Sequence, residues 1–219
     1  MTRIRLIALA SASIFLLTGC GAVPGFNPGV AARVGDETVS VEEVDDVATS
    51  FCEYVEGQLQ AGQVLPQHYL RGQVAGALAL RTAVDQFAAE QGVTATEDYD
   101  QAVAQAQQQL GDLPEEQVDA VIDVQGVQFY LQAVETAVGE AQGATGEKAT
   151  QAGEQAFQEW LAEQDVDVNP RFGVSIEDGV PRTVDTSLSF GLGETSKKAD
   201  AEQPDTAYAA TLPETQRCG

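Results

Sequence analysis

Few residue types in this 219-residue chain can do chemistry, and their spacing decides what they can do. There are three cysteines (Cys20, Cys52 and Cys218), a single histidine (His68) and 34 acidic side chains. A structural or catalytic zinc site needs several nitrogen or sulfur donors at short spacing. His68 has no cysteine or second histidine at that spacing, so it reads as an exposed or partly packed residue. Asp165, Asp167 and Asn169 alternate as the first ligands of a calcium loop do. However, Pro170 stands where that loop needs glycine, and Ile176 where it needs a bidentate glutamate. The glycine-rich run from Gly139 to Lys148 fails the phosphate-loop pattern: no glycine directly precedes Lys148, and Ala149 replaces the required Ser or Thr. Glu42, Glu43, Asp45 and Asp46 cluster at a helix start, where the dipole favours negative charge, and read as a solvated face. No Gly-x-Ser-x-Gly elbow and no Cys–His or Ser–His pairing is present. The reading is a chain without catalytic residues, metal or cofactor.

Charge narrows the partners. The formal net charge is −23, and loss of residues 1–19 would remove Arg3 and Arg5 and no acid, deepening it by two. Such a surface repels phosphate backbones, which excludes nucleic acid as a partner. The hydrophobic fraction of 43% supports one domain with a substantial core.

The elements that would position any site follow from periodicity. Val34 and Val39 flank Gly35-Asp36, a short turn signal between strands. Ser40 with Glu43 forms a capping box, and Val41, Val44, Ala48, Phe51 and Val55 then mark one face of a helix expected over 41–60. A break at Ala61-Gly62 and Pro66 opens a second helix through Leu70, Val74, Leu78, Val84 and Phe87, closed by a Gly92 C-cap. Thr96 starts a third, with Tyr99, Val103, Ala106 and Leu110 inward. A fourth carries Val118, Val121, Ile122, Phe129, Leu131, Val134 and Val138, weakened at Gly126 by up to about 1 kcal/mol. The 139–148 run reads as a flexible connection. A fifth helix over 149–163 turns Ala152, Ala156, Phe157, Trp160 and Leu161 inward, with Trp160 a packing anchor rather than a ligand platform.

Two stretches at opposite ends of this helical block carry a resemblance. "AARVGDETVSVEEVDD" at 31–46 resembles the opening of the SurA-like N-terminal chaperone domain, found in exported foldases and peptidyl-prolyl isomerases. Val166-Asp167-Val168 followed by Asn169, Pro170, Arg171, Phe172 and Gly173 resembles the family strand after the last helix. "AAEQGVT" at 88–94 adds a softer match. The resemblance covers about 30–175. It implies a mostly α domain of about five helices, with a small sheet pairing the N-terminal strands with the strand after the last helix. Full foldases insert a parvulin domain before the closing strand. No segment here matches one, so isomerase activity is not implied. What is implied is ATP-independent, chaperone-like binding of unfolded or extended exported polypeptides. The alternative is a non-catalytic scaffold that binds one dedicated envelope partner. The oligomeric state stays open.

The first residues set the address. Met1-Thr2-Arg3-Ile4-Arg5 and an apolar run from Leu6 to Leu17 read as a secretory signal, too short for a membrane span of about 20 residues. Leu17-Thr18-Gly19-Cys20 resembles a bacterial lipoprotein lipobox, which implies that Cys20 is lipidated and begins the mature protein. Gly21 to Gly29, rich in glycine and proline, then serve as a tether. The expected organisation is a signal over 1–19, lipidated cysteine and tether over 20–29, helical domain over 30–175 and polar tail over 176–219. With Cys20 assigned to lipid, Cys52 and Cys218 remain for a disulfide in an oxidising compartment, or as one buried and one free thiol. The tail lacks helical or strand periodicity and reads as extended or disordered.

Overall fold

The computed structural model describes residues 28–185, 193–199 and 203–219. The signal over 1–19, Cys20 and the tether up to residue 27 lie outside the described residues.

Strands Val30–Val34 (β1) and Glu37–Ser40 (β2) form an antiparallel hairpin around Gly35, whose φ of 54° lies in the region only glycine enters freely. Helix Val41–Glu56 (α1) follows, and the Ser40 hydroxyl accepts from the Glu43 N–H at 3.0 Å, the predicted cap. The helix stops short of Gln60, at Gly57. A two-residue strand, Leu65–Pro66 (β3), places Pro66 just before the next helix rather than inside its first turn.

Helix Gln67–Gln91 (α2) runs through the centre of the molecule. Its buried residues (Leu70, Val74, Ala75, Leu78, Ala79, Leu80, Ala83, Val84 and Phe87 among them) fall on nearly every side, the pattern of a helix enclosed by its neighbours. It ends at Gly92 in the left-handed conformation, as the C-cap signal predicts. Around it pack Glu97–Gln109 (α3), Glu115–Gln125 (α4), Val127–Ala141 (α5) and Glu147–Leu161 (α6). The single fourth helix expected from periodicity is therefore two, separated at Gly126, and the helical domain has six helices instead of about five. The 139–148 connection is also shorter than expected, because Gly139 lies inside α5 and Glu147 already inside α6.

Those glycines serve packing. A β-carbon on Gly139 would sit 1.9 Å from the Ala149 carbonyl oxygen, and one on Gly153 would sit 1.7 Å from that of Glu135, so α5 and α6 touch backbone to backbone. The Thr136 and Thr150 hydroxyls bond across the same seam at 2.9 Å. Beside it Phe87, Phe157 and Trp160 form an aromatic cluster with centroids 5.2–5.9 Å apart. Trp160 Nε1 donates to the Glu90 carboxylate at 2.8 Å, which satisfies its polar end.

Glu135 faces this seam and is the buried charged residue among the described ones. Burial first, and Glu154 second, push its carboxyl up to about 7 from an ordinary 4.5. A carboxyl whose pKa rises on folding stabilises the fold while protonated. That contribution is complete below the ordinary value and is lost as pH rises through 7. Glu135 should thus remove about 3 kcal/mol of stability across that interval. Urea unfolding at a series of pH values is expected to show a shallower slope for Glu135→Gln; an unchanged slope would refute the assignment.

The chain closes on itself through Val166–Val168 (β4), antiparallel to β1 with Ala32, Arg33 and Val34 opposite Val168, Asp167 and Val166. The sheet order is β2-β1-β4, so the first strand is central and its partner comes from beyond the last long helix, as the resemblance implies. The family-motif strand itself ends sooner than expected. Asn169 leaves the sheet, its Nδ2 donating to the Val30 carbonyl and its side-chain oxygen accepting from the Arg171 N–H. Pro170–Phe172 forms a 3₁₀ turn that ends at Gly173 with φ 59°. Proline has no N–H for a ladder, and Asn favours such local bonds, so the segment turns.

The polar tail is structured where it is described, which corrects the reading of an extended or disordered segment. Val174–Glu177 (β5) and Val180–Thr183 (β6) form a hairpin over Asp178-Gly179, both at positive φ, so a boundary at 175 falls inside a strand. Short helices Glu194–Ala199 (α7) and Thr206–Ala209 (α8) follow, and Arg217–Cys218 (β7) pairs with β3. Among the described residues, both core clusters lie at or beyond Ala31.

Candidate functional site

A groove of about 780 Å³ opens between the N-terminal half of α2, the α4–α5 junction, the 170–173 turn and the β5–β6 hairpin. Two glycines of α2 let these parts approach. A β-carbon on Gly72 would meet the Phe172 carbonyl oxygen at 2.6 Å, and one on Gly76 would meet Pro181 Cβ at 2.8 Å. The walls are apolar where Phe51, Ala77, Val127, Phe172 and Val174 contribute, all of them buried core residues at their bases. The rim carries the exposed amides Gln73, Gln125 and Gln128. The Gln73 amide donates to the Tyr69 hydroxyl at 2.8 Å, and that of Gln128 donates to the Gly179 carbonyl. This arrangement offers an apolar floor bordered by hydrogen-bonding amides.

Each residue singled out in the sequence has a place. His68 lines the groove, its Nε2 donating to the Ala199 carbonyl oxygen at 3.2 Å. Pro170, Arg171, Phe172 and Gly173 form one wall, while Asn169 anchors that wall to β1. Arg71, ion-paired with Asp45, and Arg171 both lie over the Phe172 ring, at 5.6 and 5.3 Å from its centroid. Asp165 and Asp167 sit at the sheet edge and do not converge with Asn169 on a common point: Asp167 pairs opposite Arg33, and the Asp165 carbonyl accepts from the Gly35 N–H.

Cys52 and Cys218 lie at disulfide distance, with Cα atoms 5.7 Å apart. Glu56 lies beside them, its Oε1 accepting from the Gly219 N–H at 3.0 Å. These three side chains could in principle ligate a soft cation. Bonded to each other, however, the sulfurs offer no thiolate, and the group reads as a latch holding β7 on α1 and β3.

A second polar cluster lies between α2, α3, α4 and α5. Arg81 Nη1 sits 3.0 Å from Asp123 Oδ1 and its guanidinium lies over the Tyr130 ring, while the Tyr130 hydroxyl donates to Asp85 at 2.6 Å. Burial opposes the Arg81 charge, but Asp123, Tyr99 and Asp85 outweigh it and raise its pKa. Burial also raises that of Asp123, against the pull of Arg81. These contacts tie α2 to α4 and α5.

Sequence reasoning missed the β5–β6 side of the groove, although Asp178-Gly179 between alternating residues was the signal for a hairpin. It also missed the α4–α5 side, where Gly126 was the available sign. No curated protein and no solved structure matched the chain. No helix of the described residues is long and apolar enough to cross a membrane. The model of the family described as "SurA-like N-terminal domain" matches residues 2–127. That span takes in the β1–β2 hairpin, the central helix and one flank of the groove, and ends before the strand that completes the sheet. It is more than half of the sequence, and the chain belongs to the SurA-like N-terminal domain family, a chaperone-related family of extracytoplasmic proteins.

Proposed function

We propose that this protein is a membrane-anchored, extracytoplasmic lipoprotein that binds unfolded or extended polypeptides in the α2 groove without a nucleotide. The observation that carries the reading is the groove itself: an apolar floor bordered by amides that can pair with a passing backbone. Non-directional apolar burial suits many clients. In light-scattering assays on two unrelated aggregating clients, stoichiometric oxidised protein from residue 21 onward is expected to suppress both. Gln125→Trp, an exposed change that narrows the groove, should cut that suppression at least threefold. No effect on either client would sink the reading and leave the dedicated-partner scaffold.

The anchor rests on the lipobox-like residues before Cys20. Each buried acyl methylene contributes about 0.8 kcal/mol, so two or three chains hold the protein on a bilayer. Cys20→Ser is expected to move the full-length protein from the membrane to the soluble fraction; retention in the membrane fraction would refute lipidation at this residue.

A further inference from the structure

One guanidinium, that of Arg171, lines the groove of a strongly negative molecule, and Arg71 lies over Phe172 in its wall. Among the described acidic residues, Asp185 is the one that lines it.

Arg71 is already partnered by Asp45. Arg171 differs. It has no carboxylate within ion-pair distance among the described residues, and its guanidinium is held over the Phe172 ring on the groove wall. An exposed, planar, oriented guanidinium beside an apolar floor is suited to a bidentate carboxylate.

We propose that the groove selects apolar polypeptide segments with an Asp or Glu side chain next to the apolar stretch, the carboxylate being held by Arg171. This rests on the groove binding polypeptide at all. It runs against the net charge of the molecule, which by itself favours basic clients. At about 0.15 M salt, screening over roughly 8 Å lets the local cation outweigh distant acids.

The test uses three fluorescent peptides with one apolar core of Val, Leu and Phe, flanked on one side by two Asp, two Asn or two Lys. All are amidated, so that a terminal carboxylate cannot stand in for the side chain. Anisotropy titrations at about 50 mM salt are expected to rank Asp above Asn by about three- to tenfold and Lys last, the gap closing near 0.5 M salt. Arg171→Gln should erase the preference for the Asp peptide over the Asn peptide. Arg171→Lys should keep it in part, and Lys148→Gln, on α6, should keep it in full. Equal affinities for the three peptides, or a preference that survives Arg171→Gln, would overturn the inference and leave the chaperone reading standing. If no peptide binds, both fail.

Discussion

Replacing Cys52 and Cys218 by serine is expected to lower the unfolding free energy of the oxidised chain by about 2–5 kcal/mol. The bridge spans 166 residues. In the chain-entropy account, a loop that long restricts the unfolded ensemble by roughly 5 kcal/mol, an upper figure that native geometry reduces. The folded side of the balance is weak without it. β7 contributes two residues of pairing to β3, and one N–H reaches Glu56. The loss should therefore appear in two places. Guanidinium melts of the reduced or doubly substituted protein shift to lower midpoints. Limited proteolysis cuts the 203–219 segment while the helices around α2 stay protected. A midpoint that does not move on reduction would show that the sulfurs are not bonded in solution.

Gly153→Val is expected to cost about 3 kcal/mol or more, and Gly153→Ala is the sharper test because two rules disagree about its sign. Helix propensity alone makes alanine better than glycine by up to about 1 kcal/mol. Packing says the opposite: the new carbon would fall 1.7 Å from the Glu135 carbonyl oxygen, a backbone atom that cannot swing away. The helices must separate, and with them the contacts of Val134, Val138, Phe157 and Trp160, which lie in one cluster. Overpacking penalties of about 1–3 kcal/mol are usual where side chains can adjust, and here none can. Thermal melting should place both variants below the parent, valine lower. An alanine variant that melts higher would mean the two helices do not touch.

How far the sequence reached can be judged at these same residues. The Ser40 cap, the Gly35 turn and the Gly92 stop were legible because each depends on neighbours within four positions. The β1–β4 pairing was legible only through the resemblance of two distant stretches, since no local property of Val166–Val168 names its partner. Gly139 and Gly153 were opaque for a physical reason. A glycine that permits close approach and one that loosens a loop look identical until the opposing backbone is known, and so Gly139 was assigned to a flexible connection. The groove was opaque in the same way: its walls come from four separated segments, and the 176–219 stretch, polar and short in period, gave no hint that its hairpin would seat against Gly76 of α2. The bond of His68 to Ala199 was opaque too, because it joins residues 131 positions apart.

The central position of β1 sets an order of events for a chain delivered one end first. Val34 is made early, and its partner Val166 only after all the long helices. Until then β1 has β2 on one side and an open row of backbone donors and acceptors on the other. Closing so wide a loop slows the search, because the entropy is lost before the contact forms. The helices can gather around α2 in the meantime, but the sheet waits for residue 168 and the bridge for residue 218. The chain thus passes through an unfinished stage, with one strand edge open until its last third arrives.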